Sequence, residues 1–433
     1  MHRAALVAVV AIVASACRTD PPSPSTIEVA RYTAVPSRQL DILLQIDNSA
    51  GTLDLQSSFA AAFGELIDGL SIVDGGLPDL HVGVTTSDLG TSGSIEDPAP
   101  PIGSIGQGGC AERGDDGALS ANGAPVDDAY LVDEDDGGLR RRNYTGTLVD
   151  TVTRMVERAS GGCGFEQPLA ATMRAFTNNA NVGFSRPDAN LLVVILADED
   201  DCSVRSPAFF GPESAVLGPL DSFRCTRFGV ACDQPIDEPG EKTRCHANGE
   251  TPYIEGVSPF VDAMRAVRSD PARVAVAAIV GPPEVSVELR AAPGGGATEP
   301  ALAHSCAWST ATGAKVADPA VRIAAAIDAL VPNSTLESVC APNLGPAVAN
   351  IARTTRGLYG ITCLDPALVG DVPACSVTVE GLAGETPLSL CPAAGDCFEI
   401  VDDPAACGDR PRLVVHLASP AADHYVRARC VVD

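Results

Sequence analysis

Four stretches of this sequence are apolar almost from end to end: Leu40 to Asp47 (LDILLQID), Leu80 to Thr86 (LHVGVTT), Leu191 to Asp198 (LLVVILAD) and Val274 to Val280 (VAVAAIV). Runs this short and this uninterrupted fit strands covered on both faces, the situation of a parallel sheet between helices. Between them the apolar residues switch to helical spacing. Phe59, Phe63, Leu66, Ile67 and Leu70 share one stripe, with Gly69 near its end, and Leu169, Met173 and Phe176 share another. Val257, Phe260, Val261, Met264 and Val267 make a third, and Ile323, Ile327 and Leu330, then Leu344, Val348 and Ile351, give two more. Strands alternating with helices predict an α/β fold with a doubly wound, mostly parallel sheet. Hydrophobic residues make up 45% of the chain and aromatics only 4%, so the core is expected to be aliphatic.

Two insertions are expected to interrupt this α/β domain of residues 39–366, at about 92–142 and 202–255. The first is rich in Gly, Pro and acids; the second carries Cys202, Cys225, Cys232 and Cys245 and is expected to be stapled by them. Residues 371–433 read differently. They hold Cys375, Cys391, Cys397, Cys407 and Cys430 among short β-like pieces, and predict a small disulfide-rich β module.

The other end carries an export signal. His2 and Arg3 precede an apolar run from Ala4 to Ala14, too short for the roughly 20 residues of a membrane span. The run leads into Val13-Ala-Ser-Ala-Cys17, which resembles the bacterial lipobox. Residues 1–16 are therefore read as a lipoprotein signal peptide, Cys17 as the lipidated residue and 17–38 as a flexible tether. Of the 15 cysteines, the 14 beyond Cys17 suit seven disulfides, as expected of an exported chain. Only short-range pairs such as Cys391–Cys397 suggest themselves. No C-x-x-C pair points to a metal-thiolate site. A formal net charge of −27 argues against nucleic acid as a partner.

In open parallel sheets ligands gather beyond the carboxyl ends of the strands. Two of the apolar runs end there in acids: Asp47-Asn48-Ser49-Ala50-Gly51 and Asp198-Glu199-Asp200-Asp201. If the two strands are neighbours, hard oxygen donors from two loops meet, which suits Mg2+, Ca2+ or Mn2+. Thr85-Thr86-Ser87-Asp88 ends a third run and offers hydroxyls near the same edge, or turn chemistry. Asp133-Glu-Asp-Asp-Gly-Gly138 resembles a calcium loop, but its acid spacing does not complete one, and an exposed acidic loop is the plainer expectation.

These end motifs resemble the metal-ion-dependent adhesion site of the von Willebrand factor A (VWA) family, D-x-S-x-S after the first strand, a Thr after a Gly-Gly-like turn, and an Asp closing a later strand. Asp47, Ser49 and Asp198 match; Gly51 and Cys163, after Gly161-Gly162, do not. The segments GCGFEQPLAATMRAF, LLVVILADEDDCS and ESVCAPNLGPAVANIA are also similar to a bacterial subgroup of exported, cysteine-rich A-domain lipoproteins. The resemblance implies a Rossmann-like VWA fold over roughly 39–364. It also implies a divalent cation held by Asp47, Ser49 and Asp198, with Glu166 and Asp200 as additional candidates, and a protein partner. Cys163 is then read as half of a disulfide, with Cys110 a candidate partner.

Motifs for catalysis are missing. There is no G-x-S-x-G elbow, no H-E-x-x-H, and neither Lys242 in GEKT nor Gly106-Gln-Gly-Gly109 completes a phosphate-binding loop. The expectation is a non-enzymatic, envelope-anchored binding or adhesion lipoprotein with a degenerate adhesion site. A metal-free structural envelope component and an exported hydrolase are the alternatives.

Overall fold

The computed structural model describes residues 25–249, 251–291, 298–310, 312–365, 375–382, 384–392 and 395–432. The expected signal peptide and the expected lipidation site at Cys17 lie outside them. The chain forms a mixed α/β structure with several sheets. All 14 cysteines beyond Cys17 pair, as Cys110–Cys163, Cys202–Cys225, Cys232–Cys245, Cys306–Cys340, Cys363–Cys407, Cys375–Cys430 and Cys391–Cys397. Among the described residues no helix is long and apolar enough to cross a membrane.

Strand β1 (Ser25–Thr33) is followed by β2 (Gln39–Ile46), α1 (Leu53–Leu70) and β3 (Asp79–Thr86). Then come β4 (Leu131–Asp136), β5 (Leu139–Arg142), α2 (Leu148–Val156), α3 (Pro168–Thr177) and β6 (Asn190–Leu196). After the second insertion follow α4 (Ser258–Ala266), β7 (Val274–Val280), α5 (Val321–Asp328), β8 (Ser334–Ser338) and α6 (Gly345–Gly357). The largest sheet has seven strands in the order β8-β7-β6-β2-β3-β4-β5. Neighbours from β8 to β3 are parallel, and β4 and β5 add an antiparallel hairpin.

Burial explains why the four apolar runs became its centre. Leu40, Ile42, Leu44 and Ile46 of β2, with Leu192, Val194 and Leu196 of β6, join one buried cluster against α1, α2 and α6. Leu43, Leu191, Val193 and Ile195 join a second cluster with α3, α4 and α5. Alternate residues of one strand therefore face different cores, and the polar Asp41 and Gln45 of β2, on the same face as Leu43, are buried as well.

Three expectations need correction. The stretch expected as a flexible tether is ordered from Ser25 onward: β1 pairs antiparallel with the last strand, Tyr425–Val432, in a sheet that also holds Cys375–Gly381 and Gly384–Pro387. Ala30 and Tyr32 alternate into its core, which stabilises the strand by apolar burial. The C-terminal module is thus built from both ends of the described chain. A companion sheet joins Thr362–Cys363, Pro411–His416, Cys397–Asp402 and Ser389–Leu390. Next, the end of the first insertion belongs to the main sheet as β4 and β5. Finally, the acid run there is part of a β-hairpin, exposed at 135–138 as expected but with Asp133 buried. Asp133 is 1% exposed and paired with Arg140 at 2.5 Å and Arg142 at 3.3 Å. Across the Gly137-Gly138 turn, Arg142 and Arg141 pair with Asp133 and Glu134 directly opposite them, and Arg140 reaches diagonally to Asp133.

Candidate cation-binding site

Strands β2 and β6 are parallel neighbours with Ile46 opposite Leu196, so the chain leaves both at the same edge of the sheet. The Asp47 amide donates to the Leu196 carbonyl at 2.9 Å, carrying the pairing one residue further. Asp47 is 1% exposed. Its Oδ1 accepts from the Ser49 amide at 2.8 Å, and its carbonyl accepts from Gln56 Nε2 of α1 at 2.8 Å. Its Oδ2 is buried with no hydrogen-bond partner in the protein, as is Asn48 Oδ1 beside it.

The Asp198 carboxyl and the Ser49 hydroxyl both act on the Asp47 carboxyl. Glu166, 2% exposed at the loop leading into α3, meets Glu199 in the same way. Burial pushes all four carboxyls above their ordinary range, and the acids then push one another. Asp198 is raised by burial, Asp47 and Glu199, and Glu166 by burial, Glu199 and Asp47. Glu199 is pushed up to about 8 by burial, Asp318 and Asp47. On Glu166, Asp198 and Glu199 the charges that act are other carboxylates, which is unusual for buried acids, while Asp47 is raised by burial alone and lowered by its hydrogen bonds.

The remaining acids of the loop do different work. Asp200, an additional candidate ligand, caps helix α5: its carboxylate accepts from the Arg322 amide at 3.0 Å and the Ile323 amide at 3.1 Å. A helix N-terminus supplies unpaired amides and a partial positive charge, so it draws this carboxylate away from the sheet edge. Asp201 pairs with the buried Arg322 guanidinium at 2.9 Å and accepts from the Leu169 amide at 3.0 Å, at the start of α3. Of the metal candidates, the fold gathers Asp47, Ser49, Asp198 and Glu166 and assigns Asp200 to a cap. Glu199 was not among them and joins the cluster through tertiary contact.

The departures from the adhesion-site pattern have physical causes. Gly51 has φ +102°, a conformation that strains a side-chain-bearing residue, although a Cβ there would meet nothing within 4 Å. Cys163 is bonded to Cys110, so its sulfur is not a donor. At Gly162 a Cβ would lie 2.4 Å from Asn48 Oδ1, so the turn must be bare for the two loops to touch. Asp88 and Thr86 turn out to hold loops: Asp88 Oδ2 accepts from the Cys163 amide at 3.1 Å and Thr86 donates to Asp115 at 2.5 Å. Thr85 Oγ1 and Ser87 Oγ are buried and unpartnered. Phe165 packs edge-on against Phe209 and Phe210, at 5.7 and 5.5 Å, in a small core that includes the Cys110–Cys163 bridge. This core seats the loop that ends in Glu166. The double variant Cys110→Ala/Cys163→Ala is expected to lose about 2–4 kcal/mol, since it frees a long loop in the unfolded chain. Denaturant unfolding under oxidising conditions measures it, and an unchanged midpoint would show that the bridge does not hold the loop.

Among the described residues no three His, Cys, Asp or Glu side chains are arranged to hold a metal ion by themselves. A cation here would draw on Asp47, Asp198 and the Ser49 hydroxyl, with Glu166 beyond. The orphaned Asp47 oxygen and the hard-oxygen donor set fit a small divalent ion. Beside the edge lies a cavity of about 550 Å³ lined by Asn48, Asp88, Asp115, Asn122, Arg158 and Gly162, among others.

No family model matches the chain, and no curated protein matches it. Among solved structures it is similar to the human COPII-coat protein Sec24c, with 10% identity over 97% of this chain and 44% of that one and a TM-score of 0.31. It is also similar to the pilus adhesin SpaC from Lactobacillus rhamnosus GG, with 9% identity, 94% and 40% coverage and a TM-score of 0.33. The pilus adhesin RrgA from Streptococcus pneumoniae gives 12%, 94% and 58%, with a TM-score of 0.30. The chain spans less than two thirds of each of these proteins. The likeness is too low to carry an argument, so the functional reading rests on the sheet edge itself.

Proposed function

We propose that this chain is a VWA-like binding module of the cell envelope, tethered through a lipid on Cys17, which engages a protein partner at the carboxyl edge of its main sheet with a divalent cation. The observation that carries this reading is the Asp47 Oδ2 atom, buried and, among the described residues, unpartnered, beside Asp198 in a group of carboxyls with which no described cationic side chain forms an ion pair. Asp47 and Asp198 would hold the ion, Ser49 would add its hydroxyl, and Glu166 would stand where the family has a hydroxyl. When bound, the cation supplies an open coordination position for an acidic group of the partner. The chain's own residues do the rest. The Asp47–Ser49 turn fixes one carboxylate oxygen and leaves the other free, while the Gly161-Gly162 turn keeps the neighbouring loop close. The negative balance of the chain and the nature of this edge favour a protein partner over nucleic acid, and binding over catalysis.

The test is melting with EDTA, Mg2+, Mn2+ or Ca2+. A cation at a hundred times its Kd is expected to stabilise the wild type by about 2.7 kcal/mol. Asp198→Asn is expected to abolish that response. In EDTA the same variant should melt no lower than wild type, because it removes one of several repelling charges. A wild-type melting curve identical in EDTA and in each cation would sink the cation.

A second reading has its own observation. Gly51 and the bridged Cys163 remove two hydroxyl donors from the pattern. The acids would then share protons in a metal-free scaffold, and a partner would be retained on the chain in EDTA.

A further inference from the structure

The opposite edge of the main sheet has the reverse chemistry. A cavity of about 230 Å³ opens where β1, the start of β8, α6 and the C-terminal module meet. Three arginines line it from three separate elements: Arg31 on β1, Arg353 on α6 and Arg410 just before Pro411–His416. Arg356, 7% exposed on α6, and Arg412 lie close enough to act on one another and on Arg353. In a chain with 56 acids and 29 basic residues, arginines are expected to find carboxylates. Here, among the described residues, Arg31, Arg353, Arg356 and Arg410 have no ion pair, while Arg412 has Asp403 at 2.7 Å. The Nε atoms of Arg31, Arg353, Arg356 and Arg412, and the Thr362 hydroxyl in the cavity wall, are buried with no acceptor in the protein.

Among the described residues the acids near this cavity form no ion pair with Arg31, Arg353 or Arg410, and the buried Asp270 acts on Arg31 only at a distance. Glu337 lines it, but its Oε1 accepts from Asn350 Nδ2 at 2.9 Å. Asp409 and Glu337 act on Arg353 only at a distance, against burial and Arg410, which lower its pKa. Burial with Arg353 and Arg412 brings Arg356 down to about 10. Arg353 Nη1 donates to Asn350 Oδ1, but clustered guanidiniums whose buried Nε–H groups find no acceptor are a cost to the fold unless an anion joins them. Guanidinium forks match the oxygens of a phosphoryl group in pairs, more closely than they match a point charge.

We propose that the cavity lined by Arg31, Arg353, Arg410 and Thr362 is a binding site for a phosphoryl group, free or carried as a headgroup or glycan substituent. The site is independent of the cation-binding edge, which lies across the sheet.

Calorimetric titration of the full chain with inorganic phosphate, against sodium chloride at matched ionic strength, tests it. One saturable site is expected. Arg353→Gln and Arg31→Gln, on different elements, should each weaken it roughly tenfold or more, as loss of a charged hydrogen bond implies. Arg113→Gln, an exposed arginine elsewhere, should leave it unchanged. Competition of phosphate binding by phosphatidylglycerol vesicles, and not by phosphatidylcholine vesicles, would place the phosphoryl group on a lipid; phosphate binding without competition would assign a free or glycan-borne one. Absence of a saturable site, or full affinity in both folded arginine variants, overturns the proposal.

Discussion

Asp41→Ala is expected to destabilise the chain by about 3–5 kcal/mol, the cost of breaking a buried ion pair from one side. Asp41 lies in β2 with 0% exposure. Its Oδ1 accepts from Arg186 Nε at 2.8 Å, and its Oδ2 from the Arg186 amide at 2.7 Å and from Arg268 Nη2 at 2.8 Å. Arg268 in turn donates to the Ala189 carbonyl at 2.8 Å, and Arg186 to the Asp79 carbonyl at 2.9 Å. Alanine would leave two guanidiniums buried without their shared carboxylate, at the point where β2, β3 and β6 begin. A fall in melting temperature of about 3–6 °C follows from that loss for a chain of this size. A fall of only a degree or two would mean that water reaches the arginines and replaces the acid.

The mirror prediction concerns the other end of the sheet. Arg322→Ala should also cost about 3–5 kcal/mol, because it strands Asp201, which has 0% exposure. Arg322 also holds the backbone of two loops. Its Nη2 donates to the Glu255 carbonyl at 2.6 Å and its Nε to the Asp201 carbonyl at 2.9 Å, tying the second insertion to the acidic loop. The variant should therefore loosen Asp198 and Glu199 as well. Melting in EDTA measures the first effect, and loss of the cation response in the surviving folded fraction measures the second. A variant that melts lower yet responds to cation like wild type would separate the Asp201–Arg322 pair from the site.

The centre of the fold was legible because β2, β6 and β7 are covered on both sides, which leaves an apolar signature broken only in β2, by the buried Asp41 and Gln45. Other elements carried no such mark. Ser334–Ser338 (STLES) is an edge strand, half-buried and polar, and nothing in its composition separates it from a loop. Helix α2 is only nine residues, although Val152, Met155 and Val156 pack into the core. Ser25–Thr33 is a strand only because the last strand of the chain, some 400 residues away, supplies its hydrogen bonds.

The site was legible in the same partial way. Asp47 and Asp198 announce themselves as acids closing apolar strands, and the parallel register of those strands brings them together. The division of labour within Asp198-Glu199-Asp200-Asp201 could not be read in advance. It depends on where α5 begins and on Arg322, more than 120 residues downstream. Cys163 shows the reverse case, where the residue type itself signalled that a hydroxyl position had been given over to a bridge.

The central claim is that the free oxygen of Asp47 belongs to a cation. Crystals of the full chain grown with Mn2+ and measured at the manganese absorption edge test it most directly. The account predicts one strong anomalous peak at the ends of β2 and β6, within about 2.0–2.3 Å of an Asp47 carboxylate oxygen, with Ser49 Oγ in the same shell. An empty edge at saturating Mn2+, with Asp47 and Asp198 joined by a short carboxyl–carboxylate hydrogen bond, would contradict it.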